Sequence, residues 1–232
     1  MLINGKNYIG FLKFGEKEHM EALYNEWLLY VNTFDYFKTL EPALDGRADY
    51  YKATEEYYAG DGLENISLTI EYGKQKHTLS RENGWLAAAI NTKGYREYSH
   101  LYSLSCFDIN RIKENKSILD ERNFAPTKDY VVVIYDTKTF LERLKAKLLE
   151  YKCKCKLGFV EYIDINNYSG EMGFFKKFNE YSYQNEWRFI MSYNSSEPLK
   201  IYLGSMLDIA MKPQTKENFY NMSVEIVNTT NL

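Results

Sequence analysis

Tyr181-Ser-Tyr-Gln-Asn-Glu-Trp-Arg-Phe-Ile-Met191 is the stretch on which the fold of this chain turns. Side chains on a strand reverse direction at every residue, so a strand here sends Tyr183, Asn185, Trp187, Phe189 and Met191 to one face. Gln184, Glu186 and Arg188 then point to the other. The first set suits a core. The second is either a solvated sheet surface or the polar floor of a site, and alternation alone leaves both readings open.

Composition also favours a sheet. The 232 residues include 22 Tyr and 13 Phe against 4 Pro, and aromatic residues fit the pleated surface of strands. A chain of this length can share one core. The expectation is a single α+β domain over 1–232, with a mixed, mostly antiparallel β-sheet split in two parts and a few helices packed around it.

Working outward, Tyr8 to Phe14 reads as a first strand and Glu16 to Glu26 as a helix, with Met20, Leu23, Tyr24 and Trp27 at core spacing. Leu28 to Thr33 is a second strand, and Phe34 to Leu40 a short helix. Between Pro42 and Gly62 the turn residues and tyrosines suit a surface loop able to carry function. Ile66 to Tyr72 and Lys76 to Leu79 form a hairpin about Gly73, and Trp85 to Ile90 fits either a helix or a buried strand. Leu101 to Phe107 is a strand, and the nearly continuous apolar run Tyr130 to Tyr135 is a central strand covered on both faces. Thr137 to Tyr151 is a helix with Phe140, Leu141, Leu144, Leu148 and Leu149 as its buried stripe. Strands follow at Leu157 to Ile163, Asn185 to Tyr193 and Leu199 to Leu203, and a short one at Ser223 to Val227.

Several function classes lose support at this level. The formal charge of −3 gives no global basic field for nucleic acid, and the Lys and Arg between Arg143 and Lys156 fit a solvated helix face. The opening Met1 to Asn7 lacks a charged start followed by a long apolar run, so a cytoplasmic location without a membrane span is expected. The three cysteines, Cys106, Cys153 and Cys155, read as reduced thiols, and the Cys-Lys-Cys pair has no second pair or nearby histidine to complete a zinc site. His19, His77 and His100 lack metal spacing, so no metal is expected; phosphate-binding glycine loops and a Gly-x-Ser-x-Gly elbow are absent.

A spaced set of polar residues resembles the ADP-ribosyltransferase fold. Lys13-Phe14-Gly15 ends the first strand, Asn32-Thr33 ends the second with Phe34, Tyr36 and Phe37 beyond it, and Gln184-Asn-Glu186 is similar to that family's Gln-x-Glu element. The resemblance implies NAD as the substrate that donates ADP-ribose, with Lys13, Asn32, Thr33 and Tyr36 shaping its pocket. Glu186 would bind the nicotinamide ribose and stabilise the oxocarbenium ion, and Gln184 would position the acceptor; a carboxylate beside developing positive charge is stabilised most in the transition state. This chain departs from the family in carrying Lys13 where Arg or His is usual, and Asn32-Thr33 in place of Ser-Thr-Ser. Ser103-Leu-Ser105 competes for the second-strand role.

The chain also resembles bacterial proteins found among phage-defence and toxin genes, through Tyr36-Phe37, Arg47-Ala-Asp49, Ser105-Cys-Phe107, Phe140-Leu-Glu-Arg143, Val160 to Asp164, Tyr183 to Arg188 and Leu203 to Ile209. That likeness implies a defence context more than an activity; joined to the transferase resemblance, it leads to the expectation of a toxin or antiphage effector acting on a macromolecular acceptor, protein, RNA or DNA, with an antitoxin or defence partner. Arg47 is a candidate phosphate contact, because its planar fork suits a pyrophosphate. The alternative is a non-catalytic module that binds nucleic acid or a phage protein through the tyrosine-rich loop and Lys152, Lys154 and Lys156.

Overall fold

The computed structural model describes residues 2–3, 6–39, 54–59, 67–80, 90–93, 99–108, 119–124 and 128–222, together with Glu64 and Glu82. Its strands are β1 (Leu2–Ile3), β2 (Lys6–Gly15), β3 (Leu28–Thr33), β4 (Thr54–Tyr58), β5 (Ser67–Tyr72), β6 (Gln75–Ser80), β7 (Ile90–Lys93), β8 (Ser99–Asp108), β9 (Tyr130–Ile134), β10 (Lys154–Phe159), β11 (Glu161–Ile163), β12 (Ser169–Glu171), β13 (Lys176–Phe178), β14 (Glu186–Ser192), β15 (Leu199–Tyr202) and β16 (Gln214–Thr215). The helices are α1 (Lys17–Glu26), α2 (Phe34–Thr39), α3 (Thr137–Glu150) and α4 (Lys216–Tyr220), with 3-10 turns at Glu121–Asn123 and Asn179–Gln184. The chain is a mixed α+β structure built on a mostly antiparallel sheet, and no helix among the described residues is long and apolar enough to cross a membrane.

The main sheet runs β10-β14-β8-β2-β9-β16. β14 pairs along one edge of β8 from Glu186 opposite Ser105 to Ser192 opposite Ser99. The other edge of β8 is shared. β2 holds it from Asp108 to Ser105 and β3 holds it at Leu101 and His100, so Tyr102, Ser103 and Leu104 have no ladder partner on that side among the described residues. Past Leu12, β2 continues with β9, where Lys13 stands opposite Val132. The earlier part of β3 pairs with β15 instead. The sheet therefore opens between β2 and β3, and α1, which joins them, contacts both.

Alternation assigns the faces. Trp187, Phe189 and Met191 join Phe11, Tyr102, Leu104 and the α3 residues Phe140, Leu144 and Leu148 in the largest core cluster. On the opposite face Ile190 packs with Leu101 and Phe34, while Leu12 and Val131 pack with Phe124 and Phe219. Val131, Val132 and Ile134 are all fully buried, as a strand covered on both faces requires. The hairpin forms as the pattern predicts, with Gly73 at φ +60 in its two-residue turn, a conformation that costs glycine little.

Local differences from the sequence pattern have physical causes. Leu157 to Ile163 is two strands, because the backbone pairs antiparallel with β14 up to Phe159 and parallel with β13 from Glu161. Lys154 and Lys156 therefore lie exposed on an edge strand beyond the helix. Tyr183 and Gln184 are not on β14: they close a 3-10 turn, and Asn185 at φ 44 redirects the chain before the strand begins. Tyr57, expected in a surface loop, is on β4 and is buried, its ring meeting Phe178 edge-on at 4.7 Å and its hydroxyl donating to the Ile165 carbonyl at 3.0 Å. Residues 85–89 and the strand predicted at 223–227 lie outside the described residues.

Helix α3 begins at Asp136, whose carboxylate accepts from the Thr139 amide at 3.0 Å and from its hydroxyl at 2.6 Å. Those bonds hold the Asp136 carboxyl below the usual range. Of its predicted stripe, Leu148 is buried but Leu149 is 78% exposed, since 100° of rotation per residue carries it past the core edge. Leu148→Ala is expected to cost about 2–4 kcal/mol in chemical denaturation and Leu149→Ala less than about 0.5 kcal/mol.

Candidate functional site

Register places the polar face of the stretch quoted at the start. Glu186 and Arg188 sit opposite Ser105 and Ser103, and all four share the face that carries Leu101 and Ile190. That face is not solvated at β14: Glu186 is 6% exposed and Arg188 2%. Buried charges need partners, and these have them. Arg188 donates from Nε to Glu186 Oε1 at 2.7 Å and from Nη2 to Oε2 at 3.0 Å, a bidentate fork. Its Nη1 donates to the Phe174 carbonyl at 2.6 Å.

Lys177 on β13 completes the cluster. Its Nζ donates to Gln184 Oε1 at 2.7 Å and to Glu186 Oε2 at 3.2 Å, with the Tyr181 ring 4.7 Å away. Lys177 is 3% exposed and was not singled out from the sequence; its signal there was a lysine set inside the aromatic run Phe174-Phe-Lys-Lys-Phe178. Through it Gln184, although off the strand, is brought beside Glu186. The Glu186 amide donates to the Tyr162 hydroxyl at 2.9 Å. Burial, and then the Glu186 charge, push the Tyr162 hydroxyl well above the usual phenol range.

On the other side of the sheet opening stands Lys13. Its ammonium donates to the Ser103 carbonyl at 2.8 Å and lies 4.1 Å from the centre of the Tyr102 ring, using a backbone acceptor that the missing ladder leaves available. Both ends face one cavity of about 640 Å3, within the roughly 300–1,000 Å3 usual for small-molecule sites. Lys13, Asn32, Tyr36, Gln184 and Glu186 all line it. Ser103 and Ser105 lie between them, with Lys177, Arg122 and Tyr183 in the surrounding wall.

Other expected residues fall elsewhere. Thr33 is buried, and its Oγ1 accepts from the Tyr36 amide at 3.2 Å, so it caps α2 and is not among the residues lining the cavity. Asn32 lines the cavity, and its Oδ1 is buried without a hydrogen-bond partner among the described residues. Tyr36 is 37% exposed and meets Phe37 edge-on at 5.4 Å. Arg47 lies outside the described residues. Cys106 is a core residue, His100 is buried with Nε2 3.0 Å from the Glu197 carbonyl, and no group of three or more metal-binding side chains converges among the described residues. Comparison with protein families, with curated proteins and with solved structures finds no match to this chain.

The Tyr162 contact has two measurable effects. Tyr162→Phe removes the acceptor of the Glu186 amide and is expected to cost about 1–3 kcal/mol near neutral pH. Because the folded hydroxyl titrates above its unfolded value of about 10, its contribution is fully present below about pH 10 and is lost as pH rises beyond it. The stability gap between wild type and Tyr162→Phe should therefore stay constant up to about pH 10 and narrow above it in denaturation midpoints.

Proposed function

We propose that the cavity binds NAD and that the chain is an ADP-ribosyltransferase-like enzyme, a toxin or antiphage effector that modifies a protein or nucleic-acid acceptor. One observation carries this reading: Lys13 of β2, Asn32 of β3, Tyr36 of α2, Gln184 and Glu186 of β14, far apart in sequence, line a single cavity. The split between β2 and β3 supports it, since an opened sheet exposes backbone groups that a continuous ladder would consume.

In this reading the bond between the nicotinamide nitrogen and the ribose carbon breaks, nicotinamide leaves with the bonding pair, and the acceptor attacks the ribose carbon and releases its proton to solvent. Glu186 faces the positive charge that develops on the ribose, with its position set by the Arg188 fork and by Lys177. Gln184, tied to Lys177, stands beside it to orient the acceptor. Tyr36 and Tyr183 line the cavity and would stack on nicotinamide or adenine, Tyr183 by the ring face that Arg122 does not cover, and Lys13 would offer a point charge to the pyrophosphate.

A second reading rests on the same ion cluster. A glutamate whose two oxygens accept from Arg188 and Lys177 also ties β13 and the 3-10 turn to β14, a role that needs no reaction. The cavity would then bind its ligand without turnover. Residues Lys152, Lys154 and Lys156 are exposed outside the cavity and would serve only a surface contact, weakened by salt.

Nicotinamide release and transfer of adenylate-labelled NAD to a mixed protein and nucleic-acid extract discriminate the two. Turnover that falls by about 100-fold or more in Glu186→Gln, with circular dichroism showing a folded variant, supports the transferase. NAD binding without release by the wild type supports the binding module. Absence of both, or turnover unchanged in Glu186→Gln, rejects the assignment of Glu186.

A further inference from the structure

Outside the cavity, the chain places two thiols in contact at the sheet edge. Cys153 Sγ and Cys155 Sγ are 3.7 Å apart, and both are free and half-buried. Residues two apart on an extended segment share a face, which brings the sulfurs together. Cys155 lies in β10, paired with Met191, whereas Cys153 precedes the ladder, whose first pair is Lys154 with Ser192. The preceding Lys152 is at φ 49, where the chain turns from α3 into the strand. β10 is an end strand of the main sheet, so its outer edge is not held by another strand among the described residues.

We propose that Cys153 and Cys155 are an oxidisable dithiol, which a low-molecular-weight disulfide closes into a bond between the two. A disulfide needs a sulfur separation of about 2.05 Å, so closure requires roughly 1.7 Å of approach, and Cys153 lies outside the ladder that holds Cys155. The order of events follows from burial. The Cys155 thiol is pushed up to about 12, by burial first and then by its contact with Cys153, so it is a poor attacking group in the free dithiol.

Cys153 therefore attacks first: its thiolate forms a bond to one sulfur of the small disulfide, and the other sulfur leaves as a thiolate that takes up a proton. Cys155 then attacks Cys153 Sγ, loses its proton, and expels the second small thiol. The balance is one protein dithiol and one small disulfide consumed, with one protein disulfide and two small thiols formed. The pair sits at one end of β10, and just past the other end the Val160 amide donates to the Glu186 carbonyl at 2.9 Å.

Glutathione disulfide added to the full chain tests this, read by intact mass, alkylation after denaturation and peptide mapping. The expected wild-type product loses about 2 Da, carries no glutathione, and retains only Cys106 open to alkylation. Cys155→Ser should stop at a glutathione adduct on Cys153, and Cys153→Ser should react far more slowly. A trivalent arylarsenical, which bridges neighbouring thiols, should protect both cysteines of the unmodified chain from alkylation and so test their proximity without a variant. Persistent glutathione adducts on wild-type Cys153, disulfides between chains, or two thiols that stay reduced through prolonged exposure would each overturn the proposal.

Discussion

The shared edge of β8 is the constraint from which the rest of the architecture follows. One edge is paired with β14 from Ser99 to Ser105, while the other is divided between β2 and β3 with Tyr102, Ser103 and Leu104 left between them. Unpaired backbone in a sheet is costly unless something else meets it. Lys13 meets it here by donating to the Ser103 carbonyl, and the cavity occupies the same region. The opening, the placement of Lys13 and the site are thus consequences of one topological choice: β2 leaves to follow β9, and β3 leaves to follow β15.

The buried cluster of Lys177, Glu186 and Arg188 is the second organising element. Charges this deeply buried are tolerated only with hydrogen-bonded partners, and removing one partner of such a cluster is more damaging than leaving it out altogether. The cluster binds β13, the 3-10 turn and β14 to the floor of the cavity. Lys177 and Glu186 face the cavity while the cluster holds the strands, so the same contacts fix the Glu186 carboxylate and stabilise the fold.

Legibility from sequence followed the range of the interactions. Periodicity identified β3, β9, the hairpin and the helices α1 and α3, because a two- or 3.6-residue repeat records which side of an element meets the core. It failed where a partner strand decided the outcome. Tyr57 reads as a loop tyrosine until β12 and β7 pair with β4 around it, and the break at Val160 appears only when β10 and β11 take different partners. Gln184 shows both sides of this: its strand alternation was wrong, yet Lys177 returns it to Glu186 through a contact seven residues away.

The amino-acid order alone determined the mixed α+β character, the faces of the late strand, and Glu186 and Arg188 as a polar pair opposite an aromatic core, since these depend on side-chain direction within one element. Whether that pair was solvated surface or buried floor was decided only by tertiary structure. The answer depends on what lies above the face, namely β13 with Lys177, the Phe174 carbonyl and the walls of the cavity. Thr33 and Asn32 make the same point: adjacent in sequence and equal as pocket candidates, they separate because strand alternation turns one hydroxyl to the start of α2 and leaves its neighbour on the cavity wall.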